Sequence, residues 1–136
     1  MRMRQYCENA LTVAKFLESS DKIASVRYPA LPGNEHYERA QKYLPMGTSG
    51  VMSIDIKGGR APAMKFMDSL KLACNEVHVA DIRTCVLHPA SETHRQLTDE
   101  QLVAAGIEPG MVCISVGLEN VEDIIADLKQ ALDTLD

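Results

Sequence analysis

The densest group of side chains able to do chemistry is His88-Pro89-Ala90-Ser91-Glu92-Thr93-His94. A metal needs histidines that converge, usually with a third ligand. His88 and His94 stand six residues apart with Pro89 between them. The segment is therefore expected to hydrogen-bond within a loop or to line an active site, not to hold an ion. Cys113 lies inside Met111-Val112-Cys113-Ile114-Ser115-Val116. Beside a histidine it could act as a nucleophile, but a mid-strand position favours a buried structural thiol. Gly58-Gly59-Arg60 lacks the glycine spacing and the Lys-Ser/Thr pair of a phosphate loop, so a turn is expected. Lys15, in Thr12-Val13-Ala14-Lys15-Phe16, superficially resembles the setting of a Schiff-base lysine. It falls on the polar side of an amphipathic stretch and is expected in solvent. These motifs supply no catalytic residue, no metal ligand set and no self-sufficient cofactor site.

The elements that must position these residues follow from periodicity. Residues 3–18 carry an apolar stripe at three- and four-residue spacing, which predicts a helix. Residues 23–28 read as a short strand ended by Pro29. Residues 35–44 predict a short helix with Asn34 as N-cap and Pro45 beyond its end. Alternation over 51–56 puts Met52, Ile54 and Ile56 on one strand face. After Gly58-Gly59, Pro62 suits a helix's first turn, with Ala63, Phe66, Met67 and Leu70 as its apolar face. Residues 76–79 and 84–87 predict two strands around Ala80-Asp81. Thr98 to Gln101 has capping-box spacing, and Gly106 closes that helix. Residues 111–116 predict the last strand, and Asn120 caps a final helix striped by Val121, Ile124, Ile125, Leu128, Leu132 and Leu135.

This alternation predicts a single α/β domain spanning 1–136. It would be a two-layer sandwich, with one small sheet bearing helices on one face and meeting solvent or a partner on the other. The chain of 136 residues is 46% hydrophobic and 24% charged, ordinary globular values. Its net charge is −5, with no basic run, which argues against nucleic-acid and membrane-surface partners. No apolar stretch approaches membrane-spanning length, and no apolar signal core follows the basic start. The four cysteines form no C-x-x-C pair and are expected to be reduced and mostly buried.

Several segments in order resemble one family. They include Glu8-Asn9-Ala10-Leu11-Thr12-Val13-Ala14-Lys15-Phe16-Leu17, Val26-Arg27-Tyr28-Pro29-Ala30-Leu31-Pro32 and Ala40-Gln41-Lys42-Tyr43-Leu44-Pro45. Gly50-Val51-Met52-Ser53, Ile56-Lys57-Gly58-Gly59-Arg60 and Asp68-Ser69-Leu70-Lys71-Leu72 continue the match, as do His88 through Leu97 and Ser115 through Leu128. Together they resemble the C-terminal domain of Cys/Met metabolism enzymes dependent on pyridoxal phosphate (PLP), most closely the O-acetylhomoserine sulfhydrylases. The resemblance implies a cytoplasmic, homotetrameric, fold-type I enzyme of methionine and cysteine metabolism. Its reaction replaces the γ-acetoxy group of O-acetylhomoserine with sulfide or a thiol; cystathionine synthases and lyases and methionine γ-lyase are relatives.

In this family the small domain is a mostly antiparallel sheet with helices on one side. The PLP lysine, the aromatic residue stacked on the cofactor and the phosphate-binding groups belong to a preceding large domain, which lies outside these 136 residues. The resemblance therefore implies a chain that, alone, binds no PLP and turns over no amino acid; its partner would be that large domain. The small domain usually grips the substrate carboxylate through an arginine two positions before the Ser-Val-Gly of the last strand. Here that position is Cys113. A Ser or Asn before Leu-Gly in an earlier loop aligns with His78, and Thr93 matches a loop threonine that lines the site. His78, Thr93 and Cys113 are thus the expected substrate-binding positions. Two of them have changed, which implies either a different substrate, with His78 supplying charge, or a degenerate member. The alternative is a stand-alone, non-catalytic interaction module that kept the fold.

Overall fold

The computed structural model describes residues 1–136. Ten elements follow in order: α1 (Arg2–Glu18), β1 (Ile23–Arg27), α2 (Tyr37–Tyr43), β2 (Val51–Ile56), α3 (Arg60–Ser69), β3 (Cys74–Asn75), β4 (Cys85–Leu87), α4 (Asp99–Ala104), β5 (Met111–Ser115) and α5 (Val121–Leu132). The strands form one sheet in the order β1-β2-β5-β4-β3. Every neighbouring pair is antiparallel except β3 with β4, which is parallel. The α/β class is as the sequence pattern predicts, and the mostly antiparallel sheet is as the family resemblance implies.

Helices α1, α3 and α5 pack on one sheet face because their apolar stripes have no other cover. Ala10, Val13, Ala14 and Leu17 of α1, Phe66 of α3 and Ile124, Leu128 and Leu132 of α5 are buried there. They meet Met52, Ile54 and Ile56 of β2, Val86 of β4 and Val112 and Ile114 of β5 in one core. Each large apolar side chain buried in this way contributes about 1.5–3 kcal/mol. The alternate residues Val51, Ser53, Asp55, Met111 and Cys113 face away and are at least partly accessible.

Local signals explain the helix ends. Thr98 and Gln101 form both halves of the capping box. Asn120 Oδ1 accepts from Glu122 N at 3.0 Å, and Gly106 takes the left-handed conformation past α4 with φ 77°. Asn34 behaves differently from expectation. Its Oδ1 accepts from His36 N at 2.9 Å, an Asx turn, and the helix begins only at Tyr37 with His36 as N-cap.

Two further expectations are corrected. Residues 76–79 are not a strand: β3 ends at Asn75 and pairs in parallel with β4, so no hairpin forms about Ala80-Asp81. The thiols are not mostly buried, since Cys85 is buried but Cys7, Cys74 and Cys113 are half-buried. No helix is long and apolar enough to cross a membrane.

Candidate functional site on the open sheet face

The segment between β3 and β4 folds over the open face of the sheet and is tied down at several points. Glu76 N donates to Val86 O at 3.1 Å. Ala80 N donates to Ser115 Oγ at 3.1 Å, and Tyr6 Oη donates to Ala80 O at 3.1 Å. These two bonds hold Ala80 at φ 61°, a conformation that favours glycine. Thr84 N and Oγ1 donate to the two Glu119 carboxylate oxygens at 2.6 and 3.0 Å, and Gly117 N donates to Thr84 Oγ1 at 3.0 Å. A Cβ at Gly117 would lie 2.5 Å from the Ile82 carbonyl oxygen, so only glycine lets the loop pass this closely.

This fold-back brings His78 and Cys113 to one small cleft of about 60 Å³, which Glu76, Cys85, Leu87 and Ser115 also line. Cys113 stands between Ser53 and Leu87 in the sheet register. Burial pushes its thiol above the ordinary range, so at neutral pH it is an uncharged, weakly polar group. That argues against a nucleophile. It also corrects the expected core position, because Cys113 faces the open side rather than the helices. His78 is exposed, and its Nδ1 lies 2.7 Å from Glu76 Oε2 and 3.9 Å from Asp81 Oδ2. Arg83 Nη2 also meets Glu76 Oε2 at 2.9 Å, and Arg83 Nε meets Asp81 Oδ1 at 3.3 Å. The two carboxylates with Arg83 leave one negative charge beside His78, a setting that repels an anionic ligand.

Thr93 is not among the cleft's lining residues. It sits exposed on the 88–97 loop with Oγ1 2.9 Å from His94 Nδ1. His88 anchors this loop. Its ring is fully buried, with Nδ1 2.8 Å from Ser91 Oγ and Nε2 2.8 Å from the Pro109 carbonyl oxygen. The carbonyl can only accept, so Nε2 carries the proton. With both nitrogens occupied, His88 plays the loop-bonding role expected of it. Arg60 is the residue that sequence reasoning missed. The turn at Gly58-Gly59 is present, but the guanidinium reaches across to Asp99 Oδ1 at 2.6 Å, to Leu97 O at 3.4 Å and to the Ala90 carbonyl. Its sequence signal was only a charge beside a glycine pair. Lys15 is exposed on α1.

Three larger clefts lie elsewhere: about 400 Å³ beside Lys22, Lys57 and Lys65, about 460 Å³ beside Arg2, Arg4 and Gln5, and about 630 Å³ beside Cys7, Tyr28 and Met46. None contains His78, Thr93 or Cys113.

The fold is an α/β layer with helices on one sheet face and the other face left partly open. Residues 1–133 match the family described as Cys/Met metabolism PLP-dependent enzyme, and the chain belongs to that family. It is 44% identical over 133 residues to O-acetyl-L-homoserine sulfhydrylase of Leptospira meyeri, covering 97% of this chain and 30% of that protein. It is also 44% identical over 135 residues to L-methionine gamma-lyase of Porphyromonas gingivalis, covering 99% of this chain and 34% of the relative. A crystal structure of an O-acetylhomoserine (thiol)-lyase from Campylobacter jejuni, containing N'-pyridoxyl-lysine-5'-monophosphate, superposes with a TM-score of 0.88 at 38% identity. That match covers 97% of this chain and 31% of the other. The chain thus spans about a third of the length of these relatives.

The family implies PLP. The cofactor needs an amine for its Schiff base and cations for its phosphate. No lysine or arginine lines the His78–Cys113 cleft, and about 60 Å³ does not accommodate the ring and phosphate. The residues of this cleft therefore do not fit PLP by themselves.

Proposed function

We propose that this chain is the C-terminal, substrate-facing domain of a PLP-dependent enzyme of the O-acetylhomoserine sulfhydrylase type. Such an enzyme would exchange the γ-acetoxy group of its amino-acid substrate for sulfide or a thiol in the cytoplasm, as a homo-oligomer. The domain alone would neither hold PLP nor turn over substrate. The observation that carries this reading is the match to the Leptospira meyeri sulfhydrylase along 97% of the chain but only 30% of that protein. The open sheet face supports it too. Val77, Val79 and Ile82 are 63%, 68% and 60% exposed beside the cleft, a surface suited to cover by a large domain.

On this reading the chain's part is recognition. His78, Thr93 and Cys113 occupy the substrate-binding positions, and Cys113 stands where a carboxylate-gripping arginine belongs. A neutral thiol beside a cluster of net negative charge holds a substrate carboxylate poorly. The substrate differs from that of the sulfhydrylases, or recognition has decayed.

Fusing the chain to a cognate large domain and substituting Cys113→Arg tests this. Each charge-assisted hydrogen bond gained contributes about 1.5–3 kcal/mol, so the Michaelis constant for O-acetylhomoserine should fall at least tenfold. An unchanged constant overturns the carboxylate-site assignment. Adding PLP to the chain alone should give no internal-aldimine absorbance; its appearance overturns the claim that this domain cannot hold the cofactor. The exposed valines also suit a second reading, a stand-alone interaction module. Under it the chain would be made from its own promoter and start, with no in-frame large domain upstream.

A further inference from the structure

We propose that Glu76, His78, Asp81 and Cys85 form a binding site for a divalent zinc ion. One ligand atom from each lies within 4.8 Å of the other three, and they come from the loop after β3 and the first residue of β4. A tetrahedral zinc shell with N, O and S donors at about 2.0–2.3 Å has its ligand atoms roughly 3.5 Å apart. The farthest pair therefore needs to close by at most about 1.3 Å, and three of the four atoms ride on a loop.

The donor set itself selects the metal. One sulfur, one imidazole nitrogen and two carboxylates suit zinc, whereas magnesium and calcium prefer oxygen alone. Cys85 is the independent pointer. It is 1% exposed, its Sγ turns into this cluster, and its sole hydrogen-bond contact is a weak one to the Arg83 carbonyl at 3.6 Å. A buried thiol so poorly partnered has capacity left for a ligand bond.

Charge closes the argument. Glu76 and Asp81 with Arg83 leave one net negative charge, and a Cys85 thiolate adds another, so a divalent ion neutralises the site. Binding forms the zinc–sulfur bond and releases the thiol proton to solvent. Arg83 reaches both oxygens of Glu76, at 3.4 and 2.9 Å, and both of Asp81, at 3.3 and 3.4 Å. Each carboxylate would give one oxygen to the ion and keep the other on Arg83, which then orients both as an outer partner. None of this depends on the PLP assignment, because the site lies wholly within this chain.

The experiment titrates the reduced 136-residue chain with Co²⁺ as a spectroscopic stand-in, then with Zn²⁺. The expected result is one equivalent bound, with a thiolate-to-cobalt charge-transfer band and tetrahedral visible absorption, both displaced by Zn²⁺. Cys85→Ser should abolish the charge-transfer band while circular dichroism reports an intact fold. His78 is exposed, so His78→Ala keeps the fold and should weaken binding at least tenfold. Cys74→Ser and Cys113→Ser should leave the spectrum unchanged. Three results overturn the proposal: no thiolate band at one equivalent, a band that survives Cys85→Ser, or affinity for His78→Ala within twofold of the parent chain.

Discussion

Replacing His88 with alanine tests how the Thr93 loop is held. The ring is fully buried and makes two hydrogen bonds, to Ser91 Oγ and to the Pro109 carbonyl, each at 2.8 Å. Each such bond contributes about 1 kcal/mol net, and the orphaned carbonyl raises the cost further. Removing a buried ring of this size adds roughly 2 kcal/mol for lost contacts and the void. His88→Ala should therefore cost about 4 kcal/mol, a large share of the ~5–15 kcal/mol typical of a domain. Urea denaturation followed by circular dichroism would read this directly. A thermal midpoint lowered by roughly 10–15 °C would agree, at about 3–4 °C per kcal/mol for a chain of this size. The amides of Glu92 and His94, which donate to His88 and Pro89 carbonyls, should exchange faster. His88→Gln, whose amide can still donate to Pro109 O, should recover about 1 kcal/mol. An alanine variant within 1 kcal/mol of the parent chain, with unchanged exchange at both amides, would refute this account of the loop.

Three other perturbations address the scaffold and its charge. Asp127 is buried, and its oxygens accept from the backbone N–H groups of Lys71, Leu72 and Ala73, each at 2.9 Å. Asn retains one acceptor oxygen, so Asp127→Asn should lose about 3 kcal/mol in equilibrium unfolding. Ala80 at φ 61° carries a left-handed strain of about 1–2 kcal/mol, and glycine's freedom in the unfolded chain offsets part of the relief. Ala80→Gly should raise the urea midpoint by a stabilisation of roughly 0.5–1 kcal/mol. Burial, and then the nearby Glu108, push the Asp55 carboxyl above its ordinary value, while Arg27 opposes them. The folded state therefore binds this proton more tightly than the unfolded one, and stability falls as pH rises from the ordinary value through the raised one. Asp55→Asn should remove that fall: the two proteins should match at low pH and the variant should be more stable at neutral pH. Parallel stability curves across the range would refute it.

Elements with a strong period and a local stop signal were legible in the sequence. The β2 alternation, the Thr98–Gln101 box and the Asn120 cap each depend on residues within a few positions of one another, so local chemistry decides them. The 76–79 stretch of the β3–β4 segment was misread as a strand because its valines alternate. The segment's backbone is instead held by Tyr6 and Ser115, and Thr84 by Glu119, contacts between 35 and 74 residues apart. Arg60 was passed over for the same reason, since its partners Ala90, Leu97 and Asp99 lie beyond α3. The candidate positions divide along this line. Family resemblance picked out His78 and Cys113 separately, and only the fold-back over the sheet places them in one cleft. That same fold-back brings Glu76, Asp81 and Cys85 together, which no spacing rule in the chain announced.

His78 cannot serve both proposed roles at once. As a substrate-facing group it would turn a free ring nitrogen toward an anionic ligand, past the negative charge of Glu76 and Asp81. As a zinc ligand it gives up that nitrogen, or the Nδ1 now beside Glu76, and the ion cancels the surrounding charge. The order of these events is measurable in the fused enzyme. If zinc occupies the cluster, adding Zn²⁺ should change the Michaelis constant for the amino acid, and His78→Ala should make the constant indifferent to Zn²⁺. If His78 faces substrate alone, His78→Ala should raise the constant to the same extent with or without Zn²⁺. A constant unaffected by either change would place substrate recognition away from this cleft, on Thr93 or on the large domain. The zinc site would then stand or fall on the cobalt titration alone.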